Sequence, residues 1–164
     1  MNLAPYKFSD DELLILKSEY KLILNDVDLS SISKETIDNI TNDCGVYFWL
    51  MNFKGKKYKV YIGKTNSLKR RLNDYKIHFQ IHSPNDFKIR FFQEFADTHL
   101  KGSSLGLFFM KCSKTDYTEK ETIAINSFKP MVNERSKTTL EMRTKMQLAF
   151  KEYYEESFFN KLNT

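Results

Sequence analysis

The chain has 164 residues, a net charge of +5 and 41% hydrophobic residues, which suits about one domain with a real core. No apolar run reaches the ~18 residues of a membrane-spanning helix, and the N-terminal MNLAPYKFSDDE has no basic segment followed by an apolar one, so a membrane or secreted protein is not expected and a cytoplasmic one is. Two cysteines, Cys44 and Cys112, and three histidines without ligand spacing, His78, His82 and His99, argue against a zinc centre; the thiols are expected to be buried and free.

Residues 1–43 hold four lysines against nine acids, a net −5. Ser9-Asp10-Asp11-Glu12 has capping-box spacing, and Leu13, Leu16, Tyr20 and Ile23 or Leu24 recur at helical intervals, which predicts an amphipathic helix over 10–24. A loop over 26–33 and a short helix over 34–41 follow. This segment is expected to be a helical extension that packs over the rest; masking of a basic surface or binding of a partner is the alternative for so acidic an arm.

Residues 44–79 read as a β-hairpin followed by a helix. Aromatic and β-branched runs flank Lys54-Gly55-Lys56. Period-2 alternation puts Tyr47, Trp49 and Met51 on one face and Val46, Phe48 and Leu50 on the other; Lys57, Lys59 and Tyr61 are expected opposite Tyr58, Val60 and Ile62. A three-residue loop, Phe53-Lys54-Gly55, would pair Asn52 with Lys56 and Tyr47 with Tyr61, and a two-residue loop would split the two tyrosines. The helix is expected over 67–79, with Leu68, Leu72, Tyr75 and Phe79 facing the sheet and Arg71 beside that stripe. An arginine there either aims across the sheet at an anion or lays its stem on the core with its head in water.

Charge is concentrated on this stretch. Residues 45–81 carry nine Lys/Arg against one acid, Asp74, a local +8 while the remainder sums to −3. Cations interleaved with Tyr47, Tyr58, Tyr61 and Tyr75 suit a polyanion, because lysines release condensed counterions while aromatic groups add directional contacts; a solvated lysine-rich surface is the plainer alternative.

Further on, a helix through Phe87, Ile89, Phe91 and Phe95, a strand over 105–112 and a helix over 115–128 are expected. In the last of these, Tyr117, Ala124, Ile125 and Phe128 form an apolar stripe whose remaining position is Glu121. A buried carboxylate there needs a cation or a metal ion, unless Thr118 to Glu121 is a capping box. Asn133 can bond a neighbouring group or hold its own turn. Residues 136–163 predict a long amphipathic helix that packs on the module, with a homodimer contact as the alternative.

Gly45-Val46-Tyr47, then Tyr61-Ile62-Gly63-Lys64, then Leu68-Lys69-Arg70-Arg71-Leu72, then Glu121 and Lys129-Pro130-x-x-Asn133 together resemble the GIY-YIG nuclease family over roughly 44–135. Val replaces the Ile of the name motif, and the stretch 80–103 is longer than in the smallest members. The resemblance implies an α+β fold with a small three-stranded antiparallel sheet flanked by helices, to which residues 1–43 and 136–164 add N- and C-terminal helices. It also implies hydrolysis of nucleic-acid phosphodiesters, DNA first, at one divalent ion, Mg²⁺ or Mn²⁺, on Glu121. Tyr47 would position or deprotonate the attacking water, aided by the charge of Lys64. Arg71 would bind the phosphate, with Tyr61, Tyr75 and Asn133 supporting. Lys57, Lys59, Lys69 and Arg70 would contact the nucleic acid. The alternatives are a nuclease toxin with broad DNA and RNA substrates and a non-cleaving nucleic-acid-binding module on the same fold.

Overall fold

A computed structural model describes residues 1–76, 88–133 and 147–164. Its regular elements are α1 (Asp10–Glu19), β1 (Lys21–Val27), α2 (Lys34–Asp38), β2 (Gly45–Phe53), β3 (Lys56–Thr65), α3 (Leu68–Lys76), α4 (Lys88–His99), β4 (Ser104–Lys111), α5 (Tyr117–Phe128) and α6 (Gln147–Asn163), with short 3₁₀ turns at Ala4–Tyr6 and Leu29–Ser31. The fold is α+β around one antiparallel sheet in the order β1-β4-β2-β3. Phe79, residues 84–87 and the first part of the predicted 136–163 helix lie outside the described residues.

The sheet has four strands, not three, and the extra one comes from the N-terminal segment. The α1 capping box forms as the sequence predicts: Glu12 N–H donates to Ser9 Oγ at 3.1 Å and Ser9 N–H to Glu12 Oε2 at 2.8 Å. The helix stops at Glu19, however, and Tyr20 is already extended. Leu16 and Tyr20 still bury together in the core beneath α1, whereas Leu24 turns into the opposite core as part of β1. The 10–24 helix is cut short because β4 offers a free edge, and Lys21–Val27 pairs with it through two register shifts. That pairing is a tertiary choice invisible to local periodicity.

The β2–β3 hairpin differs from its expected register in an instructive way. Phe53 pairs with Lys56 around a two-residue loop in which Lys54 and Gly55 both have positive φ, 49° and 72°, as a type I′ turn requires. From Phe53 to Leu50 the partners run Lys56 to Lys59. A bulge then leaves Val60 without a partner, so that Trp49 faces Tyr61 and Tyr47 faces Gly63. The loop alone would have placed Tyr61 on the wrong face; the bulge restores the parity. Tyr47 and Tyr61 are therefore diagonal neighbours rather than a direct pair. Lys57 and Lys59 do not share the face of Tyr61, because the bulge separates them.

The sheet separates two cores. On the first face Tyr47, Trp49, Met51, Tyr58, Val60 and Tyr61 pack with α2, α3, α4 and α6 through Ile37, Leu68, Leu72, Tyr75, Phe91, Phe92, Phe95, Tyr154 and Phe158. On the second, Val46, Phe48, Leu50, Ile62 and Phe108 pack with Phe8, Leu16, Tyr20, Ala124 and Phe128 from α1, α5 and the N-terminal arm. A fully buried Leu or Phe stabilises by about 1.5–3 kcal/mol, so both layers matter. The described part of α6 buries Tyr154, Phe158 and Leu162 against the module, with Phe158 in edge-on contact with Phe92 and Phe95. No helix among the described residues is long and apolar enough to cross a membrane.

Candidate functional site

Three elements bring four predicted residues together on the first face. Tyr47 of β2 is 1% exposed, and its hydroxyl lies 3.0 Å from that of Tyr75 on α3. Arg71, one turn before Tyr75, donates from Nε to the Tyr47 hydroxyl at 3.1 Å, and its guanidinium carbon lies 5.3 Å from the Tyr75 ring centre. The Tyr61 ring on β3 sits 6.1 Å from that of Tyr47. Gly63 makes this arrangement possible. It lies opposite Tyr47, and a Cβ there would come within 2.5 Å of Tyr47 Cζ and 2.9 Å of Tyr61 Cε1, so the ring can cross β3 only over a glycine.

Burial pushes the Tyr61 and Tyr75 phenols well above their ordinary value near 10, and the neighbouring Tyr47 adds to it, so both stay protonated around neutrality. Burial works against the charge of half-buried Arg71. The oxygens of Tyr75 and Tyr47 outweigh it and hold the guanidinium above its ordinary value. The result is a cation seated among phenols.

Around the outer edge of β3 lies the second half of the constellation. Lys64 sits opposite Val46 and so leaves the strand on the second face. Its ammonium is 3.4 Å from Glu121 Oε2, donates to Thr118 Oγ1 at 3.0 Å and lies 5.4 Å from the centre of the Tyr117 ring. Glu121 is close enough that its charge helps raise Tyr61. The capping-box alternative for Glu121 does not hold, since the α5 N-cap is Asp116 with no side-chain cap bond. The described contacts of Lys64 are thus with Glu121, Thr118 and Tyr117, while the cation bonded to the Tyr47 hydroxyl is Arg71.

Asn133 neither reaches a site side chain nor holds its own turn. Its side chain bonds the Ile62 backbone twice, accepting from N–H and donating to C=O at 2.7 Å each, as a strand partner would. Met131 and Val132 donate to the carbonyls of Lys59 and Val60, and Phe8 to that of Lys57. The edge carrying Tyr61 is thus held along its length, bulge included.

The predicted nucleic-acid contacts divide. Lys59 is 6% exposed and forms a 2.7 Å ion pair with Glu12, so it is a core ion and not a surface contact. Lys57 bonds Asn52 Oδ1 at 2.7 Å, and Lys69 donates to the Asp38 carbonyl at 2.6 Å. Both are half-buried, while Arg70 is exposed beside Asn66.

The chain matches no protein-family model, no curated protein and no solved structure. The site therefore stands on its own chemistry. Among the described residues no three His, Cys, Asp or Glu side chains gather into a ready-made metal cage. Mg²⁺ does not need one, since it binds through one or two carboxylates and completes its shell with water and substrate phosphate. Glu121, 19% exposed at its side chain and only loosely paired, fits such a single-carboxylate site. Reading by motif gave no site role to Tyr117 or Thr118, which flank Lys64, and did not pair Glu12 with Lys59. Gly55 at the second loop position was the signal for the short turn.

Proposed function

We propose that the chain is a metal-dependent endonuclease acting on DNA in the manner of the GIY-YIG family, in the cytoplasm. The observation that carries this reading is the convergence of Tyr47, Tyr61, Arg71 and Tyr75 on one face, with Glu121 and Lys64 at the adjoining edge of β3. Separate elements supply these groups, and neither helix nor strand packing requires a guanidinium among three phenols. Arg71 would bind the scissile phosphate and the charge that develops on it. Tyr47 would orient the attacking water and accept its proton, with the Arg71 hydrogen bond holding its hydroxyl in place. Tyr61 and Tyr75, kept protonated by burial, would donate hydrogen bonds. Asn133 would act at one remove, by fixing the backbone from which Tyr61 and Gly63 project. Glu121 would hold one Mg²⁺ or Mn²⁺, which when bound supplies Lewis-acid stabilisation to the phosphodiester.

Burial of Tyr47 favours one second reading, in which the phenol cluster is structural and the chain binds nucleic acid without cutting it. The two part in one experiment: supercoiled plasmid, linear single-stranded DNA and RNA incubated with the purified protein and Mg²⁺ or chelator. The endonuclease reading expects Mg²⁺-dependent nicking of plasmid that chelator abolishes. Binding without cleavage of any substrate contradicts it, and cleavage of RNA as fast as DNA would instead indicate a broad-substrate nuclease.

A further inference from the structure

We propose that Cys44 and Cys112 form a two-thiol site that reacts with small-molecule disulfides and closes into a reversible cross-strand disulfide. Cys44 immediately precedes β2 and Cys112 immediately follows β4. The register Gly45↔Lys111 places the two cysteines opposite one another, and the Cys112 N–H donates to the Cys44 carbonyl at 3.1 Å. Directly opposed residues of an antiparallel pair project on the same side, so both thiols leave the sheet on the second face, where Cys112 packs beside that core. Both are free and half-buried, so they are accessible to a small reagent while held in register. Burial, and after it the neighbouring Cys44 sulfur, push the Cys112 thiol up, which is a second sign that the two sulfurs are close.

Hydrogen-bonded antiparallel partners have Cα atoms about 5.5 Å apart, inside the roughly 4.4–6.8 Å span that a disulfide bridges. The Cβ atoms must still draw together to about 3.5–4.5 Å, so the strand ends have to close slightly. Strain of that kind makes a bond reducible rather than permanent. Both cysteines lie just outside their strands, flanked by the exposed Asp43–Lys111 pair at 3.0 Å, where such closure disturbs little.

The chemistry balances with a disulfide RSSR as the oxidant. One cysteine loses its proton to solvent and its sulfur attacks RSSR; the S–S bond breaks, one RS⁻ leaves and a mixed disulfide forms. The second cysteine, likewise deprotonated, attacks the protein-bound sulfur and expels the other RS⁻. Two protein thiols are oxidised, and RSSR is reduced to two RSH.

The test is intact-mass spectrometry of the folded, reduced protein after exposure to oxidised glutathione. The wild type should lose two hydrogens and carry no adduct, whereas C44S and C112S should each retain one glutathione per chain, because the resolving thiol is gone. Peptide mapping of the wild type should find residues 44 and 112 joined, a result that needs no variant. Reductant should reverse the bond, and the oxidised form should melt at a higher temperature than the reduced one. Wild-type protein that accumulates glutathione adducts, stays fully reduced, or links into disulfide-bonded dimers would overturn the proposal.

Discussion

Two lysine–glutamate pairs leave β3 on the same face of the sheet, Lys59 with Glu12 and Lys64 with Glu121, and they share nothing else. Glu12 spends one oxygen on Lys59 at 2.7 Å and the other on the Ser9 N–H at 2.8 Å, inside a helix cap. Glu121 meets Lys64 only at 3.4 Å, with the lysine side chain 35% exposed. The first pair is committed at both oxygens, and its lysine lies in the core; the second leaves a carboxylate with spare lone pairs at an accessible edge. A helix carboxylate opposite a strand lysine is thus a structural ion in one place and a candidate ligand in another. Geometry decides between them, not residue type.

The largest effects should fall on the phenol cluster that adjoins the open pair. Arg71→Ala should reduce plasmid cleavage by about 10² or more while DNA binding, read by fluorescence anisotropy, weakens only modestly. Gly63→Ala should do comparable damage by another route, because the added Cβ meets the Tyr47 ring; a variant that cleaves normally would show that Tyr47 need not cross β3 there.

At the committed pair the expectation reverses. Glu12→Gln should cost about 2 kcal/mol in urea unfolding, since it leaves the buried Lys59 without its anion; the figure lies below that for a fully buried pair because the Glu12 side chain is 23% exposed. Specific activity of the folded fraction should survive. Lys59→Glu should unfold the chain outright, whereas charge reversal at Lys57, Lys69 or Arg70 should leave it folded and weaken DNA binding more at low salt than at high. Binding that is flat with salt would remove that surface from the account.

A pH series sharpens the same contrast. Burial works to raise the Glu12 carboxyl, but the Lys59 and Ser9 hydrogen bonds prevail and hold it below its ordinary value near 4.5. A depressed carboxylate contributes stability that is present above the unfolded-state pKa and lost as pH falls through the folded one. Melting temperatures of wild type and Glu12→Gln should therefore differ most at neutral pH and converge below about pH 4.5. The smallest effect belongs to Lys64. Lys64→Met removes the cation that shares Glu121 and should tighten Mn²⁺ binding a few-fold by calorimetry, even where cleavage falls.

Local chemistry made much of this legible. The Ser9–Glu12 cap, the faces of β2, the α3 stripe and the anomalous carboxylate at Glu121 all follow from spacing within one element, and α3, β4 and α5 begin or end within a few residues of expectation. What escaped depended on distant partners. Lys21–Val27 became a strand because β4 had an edge to offer, and Lys59 became a core ion because Glu12, 47 residues away, lies against it. The hairpin shows why register is hardest. Lys54 adopting a positive φ shortens the loop by one residue and flips every later side chain, and the unpaired Val60 flips them back. Two opposite errors cancelled at Tyr61 and did not cancel at Lys57 and Lys59.

The contrast between the two pairs reduces to Glu121→Gln, which keeps size and hydrogen bonding while removing the charge. Plasmid nicking in Mg²⁺ should fall by about 10² or more, while the melting temperature measured in chelator stays level or rises, because a partly buried anion has been neutralised without breaking a tight pair. A Glu121→Gln protein that melts lower, as Glu12→Gln is expected to, yet nicks plasmid at the wild-type rate per folded molecule would contradict the account.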